Sequence, residues 1–250
     1  SWNRITRLLS DGNIDVINFI VGGGFNGDVY TIAIQSDGKI LCGGLFTSYD
    51  GNSTSNIVRL NTDGTIDLTF NIGTGFNNVV DDIKIQSDGN IIVAGNFTSY
   101  NGTGANRIVR LTTTGAIDGT FVYGTGFDND AYGITIQPDG NILVCGLFTT
   151  YNGTGANGIV RLTTTGAIDG TFVYGTGING VATYIALQYD GKIIPCGAYT
   201  DYNGTLANNI VRLNPNGSVD GAFVYGSGFN ATTTTAIIQA NGQLYVTGNY

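Results

Sequence analysis

An all-β fold made of repeats is what this sequence predicts, and three observations predict it. The first is a period of 51 residues. Gln35, Gln86, Gln137, Gln188 and Gln239 stand 51 residues apart, each followed two residues on by Asp-Gly or Asn-Gly. Arg7, Arg59, Arg110, Arg161 and Arg212 keep the same beat, with spacings of 52, 51, 51 and 51. The second is composition. All 18 acidic residues are Asp, Lys occurs only at Lys39, Lys84 and Lys192, and Met and His are absent, while Gly (40 copies), Ile, Val, Thr, Tyr and Phe abound. The residues that build exposed helices are nearly missing and those that fit a pleated sheet are plentiful. The third is local patterning: short runs of alternating or continuous apolar residues are bounded by turn dipeptides, with no 3.6-residue period. A fixed period of this length marks one supersecondary unit that buries its apolar faces against copies of itself.

The third interval gives the elements in order. Gly133 to Gln137 alternates, Asp139-Gly140 turns, and Asn141 to Thr149 resumes an apolar run. That is a hairpin signal, with Gly supplying the positive φ of a tight turn. A loop follows over 150–157. Next come a third strand, Ile159 to Thr163, a turn at Thr165-Gly166, and a fourth strand, Ile168 to Val173. Tyr174-Gly175-Thr176-Gly177 leads into the next repeat. Four short strands in about 50 residues match one blade of a β-propeller. The chain ends on Gly248-Asn249-Tyr250, aligned with the end of a second strand, and begins on residues aligned with the approach to a third. The expectation is therefore a single domain over 1–250: a five-bladed propeller of four-stranded antiparallel blades. One blade is split between 1–20 and 235–250, so that the N-terminal strands complete the last blade and close the ring. Closure of that kind removes exposed sheet edges. A start at Ser1 in a chain without Met is what a mature form, or a piece of a longer polypeptide, would show.

The formal charge of −8 opposes nucleic-acid binding, which needs a basic stripe, and opposes an electrostatic grip on anionic lipid. No run approaches the roughly 20 apolar residues of a membrane helix, and no signal peptide is visible. Low Lys with abundant Asn, Gly, Thr and Tyr suits an extracellular, cell-surface or virion setting. Cys42, Cys145 and Cys196 align with small or apolar residues in other repeats, so they read as buried packing thiols. No Cys or His spacing fits a metal.

Ile-Gln-Ser-Asp-Gly-Lys-Ile (34–40), Phe-Thr-Ser-Tyr-Asn-Gly-Thr (97–103) and Arg-Leu-Asn-Thr-Asp-Gly-Thr-Ile-Asp (59–67) resemble the delta-60 type repeat. That repeat is found in bacterial secreted or surface proteins and in some phage structural proteins. The resemblance covers the whole chain and implies a propeller blade in a secreted, surface or virion protein, with no settled catalytic activity. In architecture the chain is also similar to five-bladed tachylectin-type propellers, lectins with one site per blade.

Four candidate features recur. Asp15, Asp67, Asp118, Asp169 and Asp220 are ligands for a metal or sugar on one reading, and acceptors of turn N–H groups on the other. The periodic Arg residues pair with Asp, or form a ring for an anion; structural pairing is favoured, since a charge that deep needs a partner. The connectors carry Asp28, Asp81, Asp82, Asp128 and Asp130, without the alternating acids of a calcium loop.

The binding candidate is the loop between the second and third strands. It comprises Tyr49 and Asn52; Tyr100, Asn101 and Thr103; Tyr151, Asn152 and Thr154; and Tyr202, Asn203 and Thr205. A Tyr ring beside amides and hydroxyls is sugar-binding chemistry, a face to stack on and fixed polar groups. The alternative is that Asn-Gly builds the turn while Tyr packs over the blade. Asn101, Asn152 and Asn203 also open N-glycosylation tripeptides, which stay bare in a bacterial or phage protein.

No catalytic set assembles. His and Glu are absent, no Ser stands beside a base, and no nucleotide loop precedes a helix. Paired Asp for glycoside hydrolysis would sit in turns and connectors. The expected function is non-catalytic adhesion to a glycan or surface receptor, with no cofactor and no metal. A structural part of a virion or surface layer, binding neighbouring protein subunits, is the alternative.

Overall fold

The structure, a computed structural model, describes residues 4–250. Its contacts group the chain into two compact units, one ending at Asp118 and the other running from Gly119 to Tyr250. Ser1, Trp2 and Asn3, part of the expected N-terminal strand, lie outside the described residues.

The first unit holds two three-stranded antiparallel sheets. One is β1 (Asp28–Ile34), β2 (Ile40–Leu45) and β3 (Ile57–Leu60), in that order. The other is β4 (Val80–Ile85), β5 (Ile91–Gly95) and β6 (Ile108–Leu111), again with the middle strand central. In the second unit β7 (Ala131–Ile136), β8 (Ile142–Gly146) and β9 (Ile159–Leu162) form a third such sheet. There follow two hairpins, β10 (Val181–Leu187) with β11 (Ile193–Ala198), and β12 (Thr233–Ile238) with β13 (Leu244–Gly248). Each hairpin turns where the sequence placed its Asp-Gly or Asn-Gly. Gly38 takes φ 84°, Gly38 N–H donates to Gln35 O, and Asp37 Oδ1 accepts from Lys39 N–H. Every first strand also slips register at one bulge, between Val29 and Thr31 and at the equivalent step in the other four.

Two expectations need correction. The blades are not four-stranded, because the fourth strand shrinks to a single bridge: Leu60↔Ile66, Leu111↔Ile117, Leu162↔Ile168 and Leu213↔Val219. The cause is the periodic Asp. Asp67 N–H still donates to Arg59 O, but its carboxylate then accepts the N–H of Thr69, and Phe70 N–H turns back to Asp67 O. The chain leaves the ladder after one pair. In the fourth repeat even the third strand is reduced to two bridges, Ile193↔Leu213 and Cys196↔Ile210. Pro195 stands in β11 where Val144 stands in β8, and it has no N–H to give the ladder.

The periodic Arg residues pair as expected. Arg59 Nε donates to Asp67 Oδ2 at 2.7 Å, and the same bond recurs from Arg7, Arg110, Arg161 and Arg212 to Asp15, Asp118, Asp169 and Asp220. The guanidinium of Arg59 lies 4.6 Å from the centre of the Phe70 ring, and its Nη1 donates to Thr113 O of the next repeat. Arg161 does the same with Phe172 and Pro215 O. Each of these charges is thus neutralised and bonded, and Arg59 and Arg161 also staple adjacent repeats. Burial works against the Asp67 carboxylate, but Lys39, Thr69 and Arg59 hold it well below the usual range. Cys42, Cys145 and Cys196 are free, buried thiols.

Candidate functional site

The predicted loops fold as two-residue ribbons, Ser48–Tyr49 with Asn52–Ser53, and their equivalents at Ser99–Tyr100, Thr150–Tyr151 and Asp201–Tyr202. Each ribbon turns on Asp50, Asn101, Asn152 or Asn203 in the left-handed region, with φ of 46–49°. A following Gly completes that turn.

The four tyrosines point inward, which corrects the expectation of a stacking platform. Tyr49, Tyr100, Tyr151 and Tyr202 are 0–1% exposed, and each hydroxyl donates to a turn carbonyl: Gly64, Gly115, Gly166 and Gly217, at 2.6–2.7 Å. Tyr151 packs on Phe127 at 4.6 Å between ring centres, and Phe127 on Phe148 at 4.2 Å. The same trio recurs as Phe25, Phe46, Tyr49 and as Phe76, Phe97, Tyr100. A ring that gains this much burial and a bonded hydroxyl stays in the core. Burial pushes the phenols of Tyr100, Tyr151 and Tyr202 well above their ordinary pKa.

The turn amides are also engaged. Asn101, Asn152 and Asn203 each accept, through Oδ1, the N–H of a connector Thr (Thr74, Thr125, Thr176) at 3.1 Å. Asp50 does the same for Gly23 at 2.8 Å. The space beside each clamp is so tight that a Cβ on Gly124 would lie 2.1 Å from Asn152 Oδ1. Asn52 is exposed and donates to Asp50 O. Thr103, Thr154 and Thr205 stand exposed. Of the predicted residues, Tyr100, Asn101 and Thr103 come together in one groove of about 360 Å³ with Asn71 and Thr114.

A second groove lies beside the connectors, and it repeats. Between the first and second repeats, Thr47, Ser55, Thr74, Asn77 and Ser99 line a groove of about 410 Å³. Exactly two repeats later, 102 residues on, Thr149, Asn157, Thr176, Asn179 and Asp201 line one of about 460 Å³. The connector residue at its edge is a built feature. Asn77 Oδ1 accepts from the N–H groups of Thr98 and Ser99, Asn179 does so from Thr200 and Asp201, and Asp128 from Thr149 and Thr150. Hydroxyls, amides and turn backbone line both grooves, with Phe76 in the first and Leu147, Phe148, Ile178 and the Asp201 carboxylate in the second; no cationic side chain enters them, so the chemistry suits a hydroxylated ligand better than an anion.

Three other connector acids are engaged locally. Asp28 pairs with Arg4 at 3.3 Å, Asp82 with Lys84 at 2.5 Å, and Asp130 accepts from Tyr132. Among the described residues, no group of three or more His, Cys, Asp or Glu is arranged to hold a metal ion. Sequence reasoning missed Thr74, Ser55, Thr176 and Asn157. For Thr74 and Thr176 the signal was present in the recurring phrases Gly73-Thr74-Gly75 and Gly175-Thr176-Gly177 that lead into the next repeat.

Repeated three-stranded sheets, stapled through Arg and joined by clamped connectors, define an all-β propeller-type repeat protein. The chain belongs to the domain of unknown function (DUF5122) beta-propeller family, whose model matches residues 35–70, 86–121, 137–172 and 188–223. No curated protein sequence matches it. Among solved structures it is similar to virginiamycin B lyase from Staphylococcus aureus, with 21% identity and a TM-score of 0.51, over 87% of this chain and 62% of the lyase. It is also similar to a gluconolactonase from Xanthomonas campestris (15%, 0.52, over 98% of this chain and 75% of that one). The WD40 beta propeller domain of Doa1 is a third such structure (16%, 0.53, over 91% and 77%). The chain spans less than two thirds of the lyase. Likeness at these identities shows the fold alone.

Proposed function

We propose that this chain is a non-catalytic extracellular binding propeller that holds surface glycans in the grooves between its blades. One observation carries the reading: a groove lined at the same five polar positions recurs 102 residues apart, at Thr47–Ser55–Thr74–Asn77–Ser99 and at Thr149–Asn157–Thr176–Asn179–Asp201. Shallow sites of this kind bind weakly one at a time. Several on one rigid body gain affinity by engaging a multivalent surface together. The low-Lys, Asn- and Thr-rich composition fits a secreted, cell-surface or virion location.

A glycan array probed with the purified chain tests the reading. Thr74 and Thr176 are exposed and donate only their backbone N–H to the clamp, so Thr74→Tyr with Thr176→Tyr fills both grooves while leaving those bonds in place. Binding to the array should be lost at unchanged melting temperature. An array without a hit, or a hit that survives both substitutions, would sink the proposal.

A structural role in a virion or surface assembly is the second reading. Exposed apolar sheet faces in the first and last repeats favour it, since such faces fit protein neighbours. The accompanying fold reading is five blades, one of them split between 1–20 and 235–250. It is supported by Arg7, which donates to Thr62 O as Arg59 donates to Thr113 O, so the N-terminal segment occupies the place of a preceding blade's outer edge.

A further inference from the structure

Tyr123, Tyr174 and Tyr225 recur in the connectors at a spacing of 51 residues, and Ile72 stands in the same place one repeat earlier. The tyrosines share one arrangement. Each ring centre lies 6.0–6.5 Å from that of the phenylalanine two residues before it. The hydroxyls of Tyr174 and Tyr225 donate to Gly155 O and Leu206 O, on the returning strand of the neighbouring ribbon. The repeat therefore has a standing place for a phenol, with a phenylalanine beside the ring and a backbone carbonyl for the hydroxyl. In the earlier repeat Phe70 is the counterpart of Phe172 and Ser53 that of Gly155, but Ile72 has neither ring nor hydroxyl to offer. A pocket of about 440 Å³ lies there, lined only by residues between Asn52 and Gly73 and so wholly inside the first unit.

Two more departures from the repeat fall in the same pocket. Thr54 replaces the alanine of Ala105, Ala156 and Ala207, and Leu68 replaces the glycine of Gly119, Gly170 and Gly221. Thr54 is 2% exposed, and its hydroxyl has no hydrogen-bond partner among the described residues. A buried hydroxyl left unbonded carries a cost that alanine avoids, and a ligand oxygen would remove it. Leu68, 89% exposed, adds an apolar wall at the mouth. Arg59 and Asp67 also line the pocket, but they are bonded to each other at 2.7 Å, so the lining as a whole offers no net charge to an ion.

We propose that this pocket binds from outside the ring that the later repeats carry in their own chain: a phenol. Its ring lies against Phe70 and Leu68. Its hydroxyl donates to Ser53 O, as Tyr174 donates to Gly155 O, and accepts from the Thr54 hydroxyl. The size is right for a small aromatic ligand, and apolar walls with a few fixed polar groups are what such a ligand needs. The ring can come as a free small phenol or as a tyrosine side chain of another protein, and the test separates the two. None of the residues that line the proposed glycan grooves takes part.

Titration of the isotope-labelled 250-residue chain with p-cresol, followed by amide chemical shifts, tests it. The shifts should saturate in the millimolar range, as suits so small a ligand, and should gather on residues 52–54 and 66–73. Toluene, which lacks only the hydroxyl, should bind more weakly. Thr54→Ala restores the residue of the later repeats and should weaken p-cresol by roughly two- to tenfold, the worth of one hydrogen bond. Ile72→Tyr also restores the later residue and supplies the ring from within, so the saturable shifts should vanish while the melting temperature does not fall. The proposal is overturned by p-cresol shifts that do not saturate or that scatter over the chain. It is overturned equally by toluene that binds as tightly as p-cresol, or by a folded Ile72→Tyr that binds like wild type. If Ile72→Tyr does not fold, Thr54→Ala and the toluene comparison decide. N-acetyltyrosine amide identifies the source: binding at the same residues means a tyrosine side chain fits, and binding of p-cresol alone means a free phenol. A negative glycan array leaves this result standing, and failure with p-cresol leaves the glycan reading standing.

Discussion

Replacing Tyr151 by Ala separates a core tyrosine from a sugar-stacking one by the size of its cost. The ring is 1% exposed, lies 4.6 Å from Phe127, and gives its hydroxyl to Gly166 O at 2.7 Å. Truncating a buried aromatic to Ala costs about 3–5 kcal/mol, from lost transfer energy and the cavity left behind. In a chain of this size, each kcal/mol moves the melting temperature by about 2–4 °C, so the expected fall is roughly 6–20 °C. Tyr151→Phe keeps the ring and deletes only the hydroxyl, which leaves Gly166 O without its donor. That change should cost about 1 kcal/mol. Thermal unfolding followed by circular dichroism, with a denaturant titration beside it, measures both. The ordering matters as much as the sizes, since only a buried, bonded ring gives a large Ala effect with a small but real Phe effect. A solvent-facing ring would change stability by no more than about 0.5 kcal/mol in either variant. A Tyr151→Ala protein that melts within a degree or two of wild type would refute the core assignment and return the ring to the surface. The same burial raises the phenol pKa, so absorbance titration should show this tyrosine ionising only above the ordinary tyrosine range.

Three further outcomes follow from the same geometry. Asp220 is held down to about 2 by Lys192 and by the Ala222 N–H and Arg212, and Asp67 and Asp169 also lie below the usual carboxylate range. Folded values below unfolded ones mean that this stability is complete above about pH 4 and is lost as pH falls toward 2; a melting temperature flat down to pH 2 would contradict it. Burial pushes the Cys42 thiol up to about 12 and Cys196 up to about 11, so a thiol reagent should label neither in the native protein at neutral pH. After unfolding without reductant all three cysteines should react, and a count of one would mean a disulfide. Gly124→Ala puts a Cβ at φ 55° and 2.1 Å from Asn152 Oδ1, and should destabilise by about 1–3 kcal/mol. Gly119→Ala, with open space around it, is the control that should not match that loss.

The repeat, the hairpins and their turns were legible in the sequence because each rests on short-range chemistry. Asp-Gly supplies a turn wherever it occurs, and a period of 51 residues survives any error in a single strand. The fourth strand was not legible, because its sequence, Ile168 to Val173, is apolar enough for a strand. What ends it is a side chain: Asp169 takes the N–H of Thr171 and withdraws the backbone from the ladder. The direction of the tyrosines was missed for a related reason. A two-residue ribbon gives no alternation from which to read a face. The signal lay at long range, in the joint recurrence of Phe76, Phe97 and Tyr100 with Phe127, Phe148 and Tyr151. Three aromatics that repeat together are a packed set.

That packing changes what the near-identity of the Tyr-Asn-Gly-Thr loops means. Tyr151 anchors the ribbon to the Gly166 carbonyl, Asn152 clamps Thr125, and Gly153 permits the turn at φ 74°. Tyr151 and Gly153 are thus committed to shaping the ribbon within its repeat and Asn152 to tying it to the preceding connector, so their sameness follows from mechanics, and a ligand is not needed to explain it. Evidence for recognition must come from groups the fold leaves free. In the grooves these are the hydroxyls of Thr74 and Thr176, whose backbone serves the clamp while their side chains face outward. Thr103 and Thr154 offer hydroxyls from the neighbouring loops. A loop can therefore be invariant for structure and carry recognition on its remaining atoms. The two roles come apart only when the ring and the groove are changed separately: Tyr151→Phe tests the scaffold, and Thr74→Tyr with Thr176→Tyr tests the site. If the groove pair abolishes adhesion while the ring substitution leaves it intact, the binding surface belongs to the connectors, and the tyrosines set only the platform on which they stand.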